Sequence, residues 1–125
     1  MRNPPKISNL DHLTLEVRNI VEALQFYTKV IGLEENRTPE EVRSKGVRWL
    51  GLPGNQALHL IEIADMQEPS SAHLALVVDD IEAWKEHLTE NSIQIQQPKF
   101  DIYQAKRFFI KDPFGNRIEF LKWVS

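Results

Sequence analysis

The sequence contains no cysteine, which excludes disulfide bonds and thiolate metal ligands. No apolar run approaches the ~20 residues of a transmembrane helix, and the first ten residues lack the apolar core of a signal peptide. The 125 residues carry a net charge of −3 without a basic stripe, so neither nucleic acid nor a membrane is an expected partner. With 42% hydrophobic and 26% charged residues, the composition predicts a small globular protein, and we expect it in the cytoplasm.

What the sequence does contain is a repeated phrase. DHLTLEV and AHLALVV place His12 and His73 at matching positions, 73 − 12 = 61 residues apart. The same offset relates Asn55 to Asn116, each in a turn between two apolar runs. An offset of almost half the chain predicts two copies of one supersecondary unit.

Each copy begins with an alternating strand that leads into a helix. Asn19 and Asp79 are the predicted helix caps, each followed three residues later by a glutamate. Later in each copy a strand, a Gly/Asn turn and a second strand are predicted, at residues 48–63 and 107–123. Weaker strands are predicted near 34–37 and 93–96.

These elements predict an α+β protein with two βαβββ modules. Module 1 covers about 9–63, a polar linker covers 64–71 and module 2 covers about 72–123, in a single domain of 125 residues. Because a unit of about sixty residues buries little surface alone, we expect the modules to join into one curved mixed sheet with helices outside.

Side-chain alternation along the strands identifies candidate metal ligands. The apolar side of the first strand, which faces the first helix, is formed by Leu13, Leu15 and Val17. Because side chains alternate, His12 then points to the concave side. The same argument places three further polar groups there: His59, His73 and Glu119. A carboxylate on an apolar face needs a cation, and imidazole and carboxylate donors suit a first-row divalent ion with positions left for water or substrate.

Other interpretations of these residues stay open. The histidines could be ordinary hydrogen-bonded strand residues, and Glu119 could pair with Arg107, Arg117 or Lys122. His87 is predicted at the helix surface. Glu16 is a second candidate base, and three aromatic residues are candidate pocket walls: Trp49, Phe108 and Trp123.

The sequence resembles the vicinal oxygen chelate superfamily, which includes glyoxalase I, extradiol dioxygenases and fosfomycin-resistance enzymes. The resemblance spans Asn9 to Trp123 and lies in DHLTLEVRNIVEALQFYTKVIGLE, in HLALVVDDIEAW and, most specifically, in KDPFGNRIEFL. It implies metal ligands on the first and last strand of each module, at His12, His59, His73 and Glu119. Glyoxalase I often has glutamate where His59 stands, so the chain departs from that enzyme in ligand type.

This resemblance implies a divalent-metal-dependent, glyoxalase-like lyase or isomerase. Its small substrate would be chelated through vicinal oxygens, with Zn, Ni, Fe, Mn or Co as the ion and Glu119 as the catalytic proton carrier. An extradiol-type ring-cleaving dioxygenase and a non-catalytic binding or resistance protein are the alternatives.

The resemblance also implies a homodimer with shared sites. His12 and His59 of one chain would combine with His73 and Glu119 of the other. Pairing within one chain is the alternative.

Overall fold

Two three-stranded mixed sheets repeat the same arrangement in a computed structural model that describes residues 3–124. The first sheet contains β1 (His12–Val17), β2 (Val47–Leu52) and β3 (Gln56–Glu62), and the second contains β4 (His73–Val77), β5 (Ala105–Lys111) and β6 (Arg117–Trp123). The opening strand of each module pairs in parallel with the last strand, which pairs antiparallel with the one before it. The predicted α+β class with its mixed sheets is therefore confirmed.

The fourth strand predicted for each module is reduced to a single bridge. Glu35 pairs with Leu50, and Gln96 pairs with Phe109. Residues 34–37 are all charged or polar. They have no alternating apolar face to bury, so the pairing there does not extend beyond this one bridge. The order within the sheets is β1-β3-β2 and β4-β6-β5, and among residues 3–124 no ladder joins the two sheets into one.

The helices that supply buried residues to the sheets are the first and the last, together with the turn that follows the first, whereas the short middle helix buries none. In chain order, the helices are α1 (Ile20–Gln25), which continues into a π-helical turn (Phe26–Val30), the short α2 (Glu40–Arg43) and α3 (Ile81–Glu90). Asn19 caps α1 as predicted, since its side chain accepts the Glu22 N–H at 3.0 Å. None of the helices in the described part of the chain is long and apolar enough to cross a bilayer.

The cap of α3 lies one residue later than predicted. Asp80, not Asp79, accepts the Ala83 N–H at 3.0 Å. Asp80 lacks the glutamate three residues later that predicts a cap at Asp79, but aspartate can cap at either position, and the helix begins at the buried Ile81.

Alternation places the core as expected on β3 and β6. Leu58, Leu60 and Ile118 are fully buried beneath the helices. Phe108 is also fully buried and stacks on Phe120 at 5.2 Å between ring centroids, so its interpretation as a pocket wall is wrong. It alternates onto the helix-covered face of β5, whereas the opposite face of each sheet, here called the open face, carries the polar candidates.

The modules are locked together by the turn in the DPFGN phrase. The buried Asp112 carboxylate accepts hydrogen bonds from the Tyr27 hydroxyl (2.7 Å), the amides of Phe114 (2.9 Å) and Asn116 (2.8 Å), and the Asn116 side chain (2.8 Å). The Asn116 side chain also donates to the Glu16 carbonyl at 2.8 Å. The most specific phrase of the resemblance therefore has a structural role, because it joins the π-helical turn after α1, and β1, to the second sheet.

His87 forms a second tie between the modules. It is half-buried rather than at the surface, and its Nε2–H donates to the Val30 carbonyl at 2.8 Å. The expectation of a surface histidine is therefore wrong, since α3 packs close enough to the end of the π-helical turn to give it a partner.

Removing the Tyr27 hydroxyl should change how stability depends on pH. Burial raises the pKa of Tyr27 well above its usual value, and the Asp112 charge raises it further. Above about pH 10 the unfolded chain loses this proton while the folded chain keeps it, so the free energy of unfolding falls as the pH rises.

We therefore expect Tyr27→Phe to lose about 1–2 kcal/mol of stability near neutral pH and to show a smaller further decrease above pH 10. Urea unfolding near neutral pH and near pH 10.5 measures both effects. Tyr103→Phe, which removes an exposed hydroxyl, is the control and should leave both values close to wild type. An equal alkaline decrease in wild type and Tyr27→Phe would contradict the prediction.

Candidate metal centre

The four predicted ligands lie as two pairs, one on each sheet. The imidazole rings of His12 and His59 stack with centroids 3.9 Å apart and planes 17° from parallel. His73 Nε2 lies 2.9 Å from Glu119 Oε1. Within residues 3–124, no three or more histidine, aspartate and glutamate side chains gather closely enough to hold a metal ion. A single chain therefore brings His12 to His59 and His73 to Glu119, but it does not bring the two pairs together.

The first pair belongs to an aromatic column across the open face of the first sheet. His59 lies opposite Thr14 of β1 and Trp49 of β2 in the strand register. The Trp49 indole stacks on His59 with centroids 4.6 Å apart, and His12 covers the other side. Partial burial lowers the pKa of His59, and the nearby His12 lowers it further. These effects favour the neutral imidazole of His59, which is the form that binds a metal.

The second pair surrounds a buried carboxylate on β6. Glu119 is 7% exposed, and its Oε2 accepts a hydrogen bond from Arg107 Nη1 at 3.2 Å. Of the three cations considered for Glu119, Arg107 is thus the partner, while Arg117 stacks over the Phe109 ring at 4.5 Å. The other carboxylate oxygen, Oε1, faces His73.

Hydrogen bonds at the far side of two rings establish their tautomers. His12 Nδ1 lies 2.8 Å from the Asp11 carboxylate, and His73 Nδ1 lies 2.9 Å from the Ser71 carbonyl. Because these oxygens can only accept, both Nδ1 atoms carry a proton, and in the neutral ring Nε2 keeps its lone pair. Metal-ligating histidines show this arrangement, with the second nitrogen bonded to a carboxylate or carbonyl.

The separation at the second pair also fits a bound ion. In the neutral tautomer the Nε2 lone pair of His73 points at the Glu119 carboxylate, and the two repel unless a proton or a cation lies between them. Two adjacent ligand atoms, each about 2.1 Å from an ion and at right angles, are about 3 Å apart. The observed 2.9 Å matches this value and equally the usual length of a hydrogen bond from a protonated imidazole, so the distance and the donor set are compatible with a divalent ion.

Sequence reasoning missed the residues that orient the ligands. Asp11 precedes His12 in the chain and could have been found from that adjacency, whereas the Ser71 carbonyl depends on the backbone path before β4.

Glu16 lies four residues from His12 along β1, a span of about 13 Å. It is exposed and lies at a distance from the pair that His12 forms with His59.

Comparison with known proteins identifies the class to which this fold and this donor set belong. The chain is a member of the Glyoxalase/Bleomycin resistance protein/Dioxygenase superfamily, whose family model matches residues 9–120. The resemblance stated from the sequence is therefore confirmed.

Individual relatives differ in their activities. The chain is 29% identical over 119 residues to the metallothiol transferase FosB of Staphylococcus haemolyticus, covering 90% of this chain and 82% of that protein. It is 25% identical over 127 residues to glyoxylase I 4 of Arabidopsis thaliana, covering 94% and 72%. A solved structure from Bacillus anthracis, described as a glyoxalase family protein, superposes with a TM-score of 0.86 at 34% identity, covering 98% of this chain and 99% of that one.

Proposed function

We propose that the protein is a divalent-metal-dependent enzyme of the glyoxalase type, a lyase or isomerase acting on a small substrate with two neighbouring oxygens. The observation that carries the proposal is the arrangement of His73 and Glu119. The proton on His73 Nδ1 is bound to the Ser71 carbonyl, and Nε2 is turned onto a buried carboxylate at 2.9 Å. Membership of the superfamily and the similarity to glyoxylase I 4 of Arabidopsis thaliana support the same interpretation.

The complete donor set would come from two copies of the chain. Each chain holds its ligands as two separate pairs, and no ladder joins β1 to β4 within residues 3–124. A two-fold axis that brings module 1 of one chain to module 2 of another would unite His12 and His59 with His73 and Glu119. It would do so twice, giving two equivalent sites per dimer.

A bound divalent ion would act as a Lewis acid and stabilise negative charge on the substrate oxygens. The three histidines would hold it through neutral imidazoles, and Glu119 would hold it through Oε1. A Glu119 oxygen would also take the proton from one substrate carbon and return it to the neighbouring carbon. Trp49 would form one wall of the pocket, because its indole already covers His59 on the open face.

Mixing two inactive variants tests whether the sites are shared. His12→Ala and Glu119→Gln should each bind far less metal than wild type when purified alone. If the sites are shared, a mixed dimer keeps one undamaged site, so a statistical mixture recovers roughly a quarter of the wild-type metal content. Elemental analysis of the refolded mixture gives the answer without a known substrate.

A control for this experiment mixes His12→Ala with His59→Ala. Both substitutions damage the same half of a shared site, so every site in the mixed dimer remains damaged and nothing should be recovered. Absence of recovery in the first mixture as well would show that the sites are not shared between chains. Wild-type protein that contains no metal after purification, and binds none when divalent ions are added, would contradict the proposed function itself.

Thiol transfer is a second candidate, favoured by the similarity to FosB, a metallothiol transferase. The two reactions differ in their use of thiol. Isomerisation of a methylglyoxal–thiol adduct leaves the concentration of free thiol unchanged, whereas transfer to an electrophile consumes it. Turnover of catechols with no effect on either assay would contradict both candidates and favour a ring-cleaving dioxygenase.

A further inference from the structure

Arg107 is a buried arginine on the open face of the second sheet. Its side chain is 7% exposed and donates to two acceptors: Nη1 to Glu119 Oε2 at 3.2 Å and Nη2 to the Phe100 carbonyl at 2.7 Å. The guanidinium carbon lies 5.1 Å from the Phe100 ring centroid and 5.5 Å from that of Phe109. The cation is therefore held between two aromatic rings and two oxygen acceptors.

Stability alone is a poor reason to keep an arginine at this position. Burial of a guanidinium carries a desolvation cost, and replacing a buried ion pair by apolar residues is often neutral or stabilising. Arg107 Nε is buried and has no hydrogen-bond partner within residues 3–124, which adds to that cost. These costs favour a role for the guanidinium other than stability alone.

The acceptor at Phe100 belongs to an irregular segment before β5. Residues 97–104, here called the cover segment, contain no helix or strand and are largely exposed. Phe100 and Tyr103 are 68% and 87% exposed, so apolar packing does little to hold this segment to the sheet. The bond from Arg107 ties its middle to the same side chain that holds Glu119.

We propose that Arg107 is a positioning residue that fixes Glu119 through Oε2, leaves Oε1 free towards His73, and links the cover segment to that carboxylate. The first task rests on the proposed function, because it concerns a metal ligand, whereas the second does not. A guanidinium presents separate N–H groups in a rigid fork and can bridge the two acceptors. A lysine at this position has a single nitrogen and can bind one acceptor well. We expect it to choose the charged Glu119 carboxylate over the Phe100 carbonyl.

Two variants and two measurements test the proposal. NMR order parameters of the backbone amides in the metal-free protein report on the cover segment, and calorimetric titration with Zn²⁺ or Co²⁺ reports on Glu119. Arg107→Gln should lower the order parameters of residues 97–104 to below about 0.6 and bind metal about 10–100-fold more weakly. Arg107→Lys should keep metal affinity within about threefold of wild type yet show the same loss of order in the cover segment.

The matched control is Arg117→Gln. Arg117 also lies on the open face and stacks over Phe109, but its register partner is His73 and it makes no hydrogen bond to Glu119 among the described residues. Both measurements should stay at wild-type values. Wild-type order parameters and metal affinity in Arg107→Gln would overturn the proposal.

The two proposals can fail separately. Wild-type protein that binds neither metal would contradict the proposed function, and the order parameters of the metal-free variants would still decide whether Arg107 holds the cover segment. If Arg107→Gln does not fold, Arg107→Lys provides the test, because it should keep its metal affinity while the cover segment loses its order. A variant that keeps both properties, or loses both, would overturn the inference.

Discussion

Glu119→Gln is expected to weaken divalent metal binding by more than about 100-fold and to reduce turnover by at least a similar factor. The substitution keeps the size of the side chain but replaces the charged donor by a neutral amide. Loss of a residue that only orients a ligand typically weakens metal binding 10–100-fold, so loss of a ligand should exceed that range. Titration calorimetry with Zn²⁺ or Co²⁺ measures the effect directly.

The fold should survive this substitution. Arg107 Nη1 can still donate to the glutamine side-chain oxygen, and its bond to the Phe100 carbonyl does not involve residue 119. We expect the metal-free variant to lose about 1–2 kcal/mol, since a hydrogen bond to a charged group is replaced by one to a neutral group. Urea unfolding of the metal-free protein separates this loss from the effect on metal binding.

Glu16→Gln is the matched control for Glu119→Gln. Glu16 is an exposed carboxylate on the open face of the first sheet, and its substitution should leave metal affinity within about twofold of wild type. Wild-type metal binding in Glu119→Gln would remove this residue from the ligand set. Loss of binding in Glu16→Gln would instead assign that role to Glu16.

Asp112→Ala should be among the most destabilising single substitutions in the protein. The buried carboxylate accepts four hydrogen bonds, from Tyr27, Phe114 and Asn116, and connects the two modules. Alanine leaves these donors without their acceptor, so we expect a loss of roughly 3–5 kcal/mol. This is a large part of the 5–15 kcal/mol that typically stabilises a domain, and the variant is expected to unfold at much lower urea concentration.

A graded series makes this prediction testable even if the alanine variant does not fold. Asp112→Asn keeps one acceptor oxygen but turns an amide group towards the surrounding donors, and should lose about half as much stability. Asp101→Ala, at an exposed position in the cover segment, should change the unfolding midpoint very little. A loss below about 1 kcal/mol in Asp112→Ala would show that the junction contributes little.

Local patterns in the sequence predicted much of the fold. The Asn19 cap and the alternation that buries Leu58 and Ile118 depend on residues that are neighbours in the chain, and the 61-residue repeat is visible in the sequence itself. The cap of α3 is an exception. The spacing to Glu82 predicted Asp79, whereas the helix begins at the buried Ile81 and Asp80 caps it.

The candidate site was predictable as a set of residues on one face but not as an arrangement. Alternation turned His12, His59, His73 and Glu119 to the open faces, while the strand register decided that they meet as two pairs. The Arg107 bond to Glu119 was one of three ionic pairings that the sequence allowed. The Tyr27 bond to Asp112 spans 85 residues, and no local signal predicts it.

The sequence by itself determined which side chains can face outward from each sheet, because the strand period of two residues is a property of the local chain. Only the tertiary structure decided which of them touch, because each contact depends on the register of strands that are distant in sequence and on the packing of one module against the other. That is why the residue types were available from the sequence, while the stack on His59, the clamp on Glu119 and the junction at Asp112 appear only in the folded chain.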